Sequence, residues 1–481
     1  MNTTKARPDV VLAICCLSLL MVSMDATIVN VSLPAIRRDL AASTSGLQWV
    51  IDGYTMVVAG LLMLAGSLAD RFGRRRTFQV GLSIFTLASA LCSVAPSLRA
   101  LIAFRMLQAV GASMLNPVAM SIITNTFIEP RARARAIGVW GAVVGVSMAL
   151  GPLVGGGLTE LAGWRSIFWI NLPIGAAAIA LAQRFVPESR ALRARRADPL
   201  GQLLVLGALV AITYAVIEGP HHGWASPLSV ALFVGAAGAV TGLLVYEPTR
   251  EEPLLDLRFF RSVPFASATV TAVVAFGTFS GFLFLNALYL QEVRGLPAFK
   301  TGLYTLPLAL ATIACSPISG WLIGRSGTRL PLVLAGAAFT TSTLMLSRLD
   351  AQTPLPWIVG AYVIFGVGFG LVNAPITNTA VSGMPRARAG LAAAIASTSR
   401  QVGASMGVAI GGTIAQARGG GAADFVHAMH PFFWLAAAGG AVVVALGLLS
   451  NGAWGQATLR RAAALIDDGD APVAAAAEAT R

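Results

Sequence analysis

The sequence predicts an all-α polytopic membrane protein of fourteen spanning helices: two related six-helix halves with two further helices inserted between them. Three observations carry this. Only 11% of the 481 residues are charged, 56% are hydrophobic and the mean hydropathy is +0.74, whereas an ordinary soluble domain carries about 25% charged residues. The apolar residues fall into stretches close to the ~20 needed to cross a hydrocarbon core as a helix. No period-2 alternation accompanies them, so helices rather than a closed barrel satisfy the backbone in lipid. Finally, motifs repeat at a fixed offset: Gly66 and Gly320, like Gly73 and Gly327, are 254 residues apart.

The first six spans are expected at Val10–Val31, Leu47–Leu68, Phe78–Ala95, Leu101–Ile123, Ala136–Leu158 and Phe168–Val186. Two more, Leu200–Ile217 and Leu228–Tyr246, lie between the charged loops Pro187–Pro199 and Glu247–Val263. The last six are Ala268–Leu290, Gly302–Ile323, Leu330–Leu346, Trp357–Ala380, Gly390–Ile414 and Phe432–Leu449. Further repeat anchors are Pro130-Arg-Ala-Arg-Ala against Pro385-Arg-Ala-Arg-Ala, and Gly155-Gly156 against Gly411-Gly412. The chain therefore divides into a first half (residues 1–190), an insertion (191–262), a second half (263–454) and an Ala-rich tail (455–481). The tail carries Asp467, Asp468 and Asp470 and reads as a short helix or a disordered segment.

The net charge of +13 sits mostly in short loops between spans. There it orients helices rather than binding nucleic acid, and its bias places both termini in the cytoplasm. The first span is too long for a leader's apolar region and reads as a retained helix. Cys15, Cys16, Cys92 and Cys315 all lie inside apolar segments without metal-site spacing and read as small core residues.

Taken in order, the spans carry a few polar residues that need explaining. Asp25, in Met24-Asp-Ala-Thr-Ile-Val-Asn30, sits mid-span. A carboxylate there costs about 2.5–3.5 kcal/mol on insertion scales, a cost that falls away when it takes up a proton. It is therefore either a proton carrier or a structural carboxylate held by its neighbours. Asp52, in Gln48-Trp-Val-Ile-Asp52-Gly-Tyr54, lies about one turn into the second span, as a second proton site, a contact for cationic substrate or an interfacial acid. The loop Gly66-Ser-Leu-Ala-Asp70-Arg71-Phe-Gly73-Arg74-Arg75-Arg76 joins spans two and three. Topology accounts for its arginines but not for Asp70 or for Gly73, which permits a tight turn. Arg105, in Arg105-Met-Leu-Gln108-Ala-Val-Gly111 of the fourth span, demands a buried partner. In the fifth, Gly145, Gly151, Pro152, Gly155 and Gly156 allow close packing and a kink. His221 and His222 sit in the loop of the insertion with no metal-ligand partners. Arg400 and Gln401 form a second polar pair in the thirteenth span, which contains no acid.

These motifs, with Gly163-Trp-Arg165 through Asn171-Leu-Pro173, resemble the major facilitator superfamily and, within it, the fourteen-helix drug:proton antiporters. The resemblance runs from Asp25 to about Trp454. It implies the major facilitator fold, with parallel repeats and a substrate site between them. It implies proton-coupling roles for Asp25 and Arg105, with Asp25 as the partner of Arg105; Asp52 is the candidate for a second proton site. Gly66, Asp70, Arg71, Gly73, Arg74 and Arg75 would form a cytoplasmic gating latch, and Gly145, Gly151, Pro152, Gly155 and Gly156 an antiporter signature. Asn30, Gln108, Asn116, Asn286, Asn373, Arg400 and Gln401 are candidates for the substrate cavity. Ala109 stands where relatives often have Gly, and Gly324 replaces Asp70 in the second copy of the loop.

The implied function is proton-coupled export of drugs or other small lipophilic or cationic compounds by alternating access. A dedicated natural-product or metabolite exporter is the main alternative. A nutrient importer fits Gly151-Pro152 and the inserted helices poorly, and a non-transporting membrane sensor is the remaining class. The expected partners are a small-molecule substrate, protons and the bilayer of the cell membrane, with the protein acting as a monomer. No Walker A pattern or nucleophile–base pair points to ATP, another cofactor or an enzyme.

Overall fold

The computed structural model describes residues 7–190, 198–250, 253–382, 384, 388–416 and 422–478. The Pro385 copy of the arginine repeat and most of the charged loop after Pro187 lie outside them. Sixteen α-helices run in the order α1 (Pro8–Leu40), α2 (Thr44–Phe72), α3 (Arg74–Ser93), α4 (Leu98–Thr126), α5 (Pro130–Ala162), α6 (Ser166–Trp169), α7 (Asn171–Phe185), α8 (Pro199–His222) and α9 (Pro227–Tyr246). They continue as α10 (Val263–Leu288), α11 (Ala298–Ser326), α12 (Arg329–Leu346), α13 (Leu355–Val381), α14 (Ala389–Gln416), α15 (Ala422–Ser450) and α16 (Ala453–Glu478). There is no strand among the described residues.

Local chemistry sets the helix ends. Ser43, Ser97, Asp198, Ser226 and Ser262 accept a hydrogen bond from the first-turn amides of α2, α4, α8, α9 and α10. α2 stops at Gly73, whose φ of 110° suits a residue without Cβ. The sixth expected span is broken: α6 and α7 meet at Ile170, which places Asn171 at the head of α7. The ninth ends in a π-turn at Tyr289–Val293.

Twelve helices of the described residues are long and apolar enough to cross a membrane. Of the fourteen expected spans, α3 and α14 fall short of that apolarity. α3 opens on three arginines and carries Ser83, Thr86, Ser89 and Ser93; α14 carries Ser397 to Gln401 and Ser405. α14 lies between α10 and α2, so its polar residues meet protein instead of lipid. The tail, expected as a short helix or disordered, is α16; Thr458 bonds the amide of Val263 and Ile466 is buried.

α1–α7 pack as one bundle and α10–α15 as a second, with α8 and α9 beside them. The bundles meet along two seams, α5 against α11 and α2 against α14. Each seam pairs the fifth helix of one half with the second of the other, as a two-fold-related duplication requires. α8 covers the α2–α14 seam: Trp49 donates to Glu218 at 2.9 Å, and the Thr413 hydroxyl donates to the Val216 carbonyl at 2.7 Å.

Candidate functional site

The first bundle is organised around Asp25, which is fully buried in α1. Arg105 and Gln108 project from α4 three residues apart, and so from one face. Arg105 Nη1 donates to Asp25 Oδ2 at 2.5 Å and to Gln108 Oε1 at 2.7 Å. Asp25 Oδ1 accepts from Gln108 Nε2 and from Asn171 Nδ2, each at 3.0 Å. Asn171 is held by Ser89 of α3 at 3.0 Å, and Ser89 donates to the Phe168 carbonyl at 2.9 Å. The Arg105 guanidinium lies 4.1 Å from the centre of the Tyr54 ring and donates to the Val50 carbonyl at 3.4 Å. Asp25 thus accepts three hydrogen bonds, and its charge is matched by one arginine.

The resemblance paired Asp25 with Arg105, but Gln108, expected in the substrate cavity, bonds both of them inside the cage, whose other walls, Asn171, Ser89 and Tyr54, were not singled out. Asn30 does not join it: its amide turns back to the Ala26 carbonyl at 3.3 Å. Asp52 is also apart. It is fully buried, neither oxygen has a hydrogen-bond partner, and it faces Ser405 across the α2–α14 seam. The Asn116 Oδ1 is buried and unpartnered on α4. Asn286 of α10 accepts from the Tyr362 hydroxyl of α13, and Asn373 donates to the Phe369 carbonyl at 3.1 Å. Arg400, with Gln401 beside it on α14, donates to Thr377 and to Ser397 and lies 5.7 Å from the Phe276 ring centre.

One end of the two seams is sealed. Arg37 pairs with Glu292 at 2.6 Å, Gln291 donates to the Val31 carbonyl at 2.7 Å, and Glu160 accepts the Phe299 amide at 2.6 Å. Gln48 donates to the carbonyls of Val408 and Ala409 and accepts from Gln416. The glycines of α5 complete the closure. A Cβ at Gly156 would lie 2.5 Å from the Ala298 carbonyl oxygen, one at Gly155 would lie 2.5 Å from Ile28, and Gly151 is pressed on Thr27. Gly145 faces Ile313, and the Pro152 carbonyl abuts Gly302. These positions join α5 to α1 on one side and to α11 on the other.

The opposite end, at the Gly73 turn, is open among the described residues. Gly66, Gly138, Gly320 and Gly324, on α2, α5 and α11, have no neighbouring atom within 4 Å of a Cβ position. The hydrogen bonds described between the two bundles lie at the sealed end or next to it. The loop residues bond within the first bundle instead. Asp70 pairs with Arg74 at 3.0 Å, the Arg74 amide donates to the Ser189 carbonyl at 2.9 Å, and the Arg75 amide donates to Glu188 at 3.1 Å. Arg71 is exposed and stacks on Phe72. A cavity of about 350 Å³ at this end of the second bundle, between Thr328, Asn378, Asn451 and Gln456, is remote from Asp25. No group of three or more His, Cys, Asp or Glu suited to a metal ion occurs among the described residues.

A family model described as Major Facilitator Superfamily matches residues 15–408. The chain is 39% identical over 398 residues to the multidrug resistance protein Stp of Mycobacterium tuberculosis, covering 83% of this chain and 74% of that one. It is 35% identical to the tetracenomycin C resistance and export protein of Streptomyces glaucescens, over 86% and 77% of the two chains. It is 33% identical to a methylenomycin A resistance protein of Bacillus subtilis, over 86% and 89%. Among solved structures, a bacterial homolog of the human lysosomal transporter Spinster, inward-facing and unoccupied, aligns with a TM-score of 0.65 at 17% identity, covering 96% of this chain and 99% of that one.

Proposed function

This chain belongs to the major facilitator superfamily, and we propose that it is a proton-driven exporter of small lipophilic compounds. The observation that carries the reading is the buried Asp25–Arg105 pair, in the first of two bundles whose seams are sealed at one end. Protonating Asp25 frees Arg105, and reforming the pair expels the proton. If the cage around the pair changes shape with this exchange, proton movement is tied to the position of α1 and α4, and through α5 to the seam with α11. Asp52, between the halves, is the second proton site on this reading. The Gly73 end faces the cytoplasm with both termini, so the conformation described here is the one that admits substrate from inside. The Asp70–Arg75 loop closes that end when the bundles rock together. The glycines of α5 keep the sealed end from leaking protons. The names of two relatives single out one compound each, which favours the narrow exporter as the second reading.

Inverted vesicles holding the protein, with an acidic interior, test this. Adding a transported compound should raise the interior pH, read by acridine orange, and the rise should vanish with Asp25→Asn. A full response in that variant would remove Asp25 from the coupling.

A further inference from the structure

We propose that Arg400 is the anchor for an acidic group on the substrate, so that the exported compound is a lipophilic aromatic acid; this rests on the export reading above. Each half carries an arginine on a spanning helix, Arg105 fully buried and Arg400 half-buried, and their surroundings differ. Arg105 has Asp25, and Arg400 has no carboxylate partner among the described residues. Arg400 stands eleven residues into α14, ~16 Å from the helix start at about 1.5 Å per residue, well inside the apolar layer. A charge at that depth is costly unless something meets it. Its neighbours are two hydroxyls, and its Nε is buried without a partner.

Its placement is that of a recognition group. The guanidinium crosses Phe276 of α10 and reaches Thr377, an exposed residue of α13 near the open end. Below it Phe276 is half-buried and packs on Phe369, which stacks on Phe279 at 4.2 Å in the core behind it, so Phe276 is the aromatic face within reach of a ligand. An aromatic body can lie against Phe276 while a carboxylate takes the planar donors of the guanidinium. The carboxylates that would attract a cation are placed otherwise: Asp25 is matched by Arg105, and Asp52 is enclosed in the sealed seam. The charge available to a ligand entering from the open end is therefore positive.

The test is equilibrium binding to the full chain in phosphatidylcholine nanodiscs, with three probes of one aromatic body: pyrenebutyrate, pyrenebutanamide and pyrenebutylamine. Pyrenebutyrate should bind roughly tenfold more tightly than the amide, about 1.4 kcal/mol, and the amine most weakly. Arg400→Gln should erase the difference, and Arg400→Lys should keep part of it; a monodisperse gel-filtration profile confirms that each variant is folded. Equal binding of the three probes, or an unchanged preference in Arg400→Gln, overturns the proposal. Competition by added phosphatidylglycerol would assign the site to a lipid headgroup and also overturn it. Binding is read without a proton gradient, so a failure of proton coupling in vesicles leaves this result standing, and the reverse holds too.

Discussion

The Asp25–Arg105 pair makes a quantitative demand on stability. Arg105→Met keeps much of the side-chain volume and removes every donor, leaving a fully buried carboxylate with only the Gln108 and Asn171 amides. Asp25→Asn leaves the guanidinium with Gln108, the Val50 carbonyl and the Tyr54 ring. Breaking a buried pair by removing one partner costs about 3–5 kcal/mol, whereas replacing both members can be nearly neutral. Each survivor here keeps at least two polar contacts, so about 3 kcal/mol is expected for either single variant. The double variant should then lie within about 2 kcal/mol of the wild type, giving a coupling of at least ~4 kcal/mol. Equilibrium unfolding in mixed lipid–detergent micelles measures all four corners of the cycle. Additivity within ~0.5 kcal/mol would refute the pair as an interacting unit.

Three further outcomes follow from the seams and the loop. Gly156→Val sets side-chain carbon against the Ala298 carbonyl and the Phe299 backbone, which cannot move independently of α11. Overpacking of about 1–3 kcal/mol should loosen the sealed end, seen as faster maleimide labelling of a cysteine placed at Gln291; unchanged labelling counts against the seal. Glu292→Gln breaks an ion pair whose partners are about a third exposed, so unfolding should shift by no more than ~1 kcal/mol; a loss near that of Arg105→Met would contradict the contrast between surface and buried pairs. Glu188→Gln removes the negative charge at the head of α3, where it accepts the Arg75 amide. A destabilisation of about 0.3–1 kcal/mol, confined to faster amide exchange in the first turn of α3, is expected.

What the sequence revealed and what it hid have physical causes. Spans and the 254-residue offset were legible because lipid imposes length and apolarity on each helix, and duplication copies its landmarks. Asp25 and Arg105 stood out because charge at mid-span is costly and therefore rare. Asn171, Ser89 and Tyr54 gave no such signal: a neutral polar residue in a span is common, and only the break at Ile170 aims Asn171 at Asp25. The reduced apolarity of α14 is likewise a tertiary effect, since a helix packed between α10 and α2 is released from facing lipid, whereas α3 owes its lower apolarity to its three opening arginines and its hydroxyl residues. α16 is rich in Ala, a strong helix former, but its docking on the start of α10 depends on Thr458 and Ile466, which no local pattern announces.

The duplication also explains why coupling and recognition need not compete for the same residues. α1 with α4, and α10 with α13, occupy equivalent places in the two halves. In the first the contact is an ion pair; in the second it is the neutral Asn286–Tyr362 hydrogen bond. A neutral pair has no charge for a proton to cancel, so on the proposed reading the second half cannot be driven by protonation at that point. It is free to hold a charge for the substrate instead, and Arg400 is that charge. The halves share the α5–α11 and α2–α14 seams, so a change in the first that moves α1 and α5 is felt by α11 without any contact between Asp25 and the ligand. If so, Arg400→Gln should weaken acid binding while proton exchange at Asp25 persists. Asp25→Asn should do the opposite, keeping the preference for pyrenebutyrate and losing its transport against a gradient. Loss of both properties in either variant would mean that one site serves both tasks and that the division between the halves is wrong.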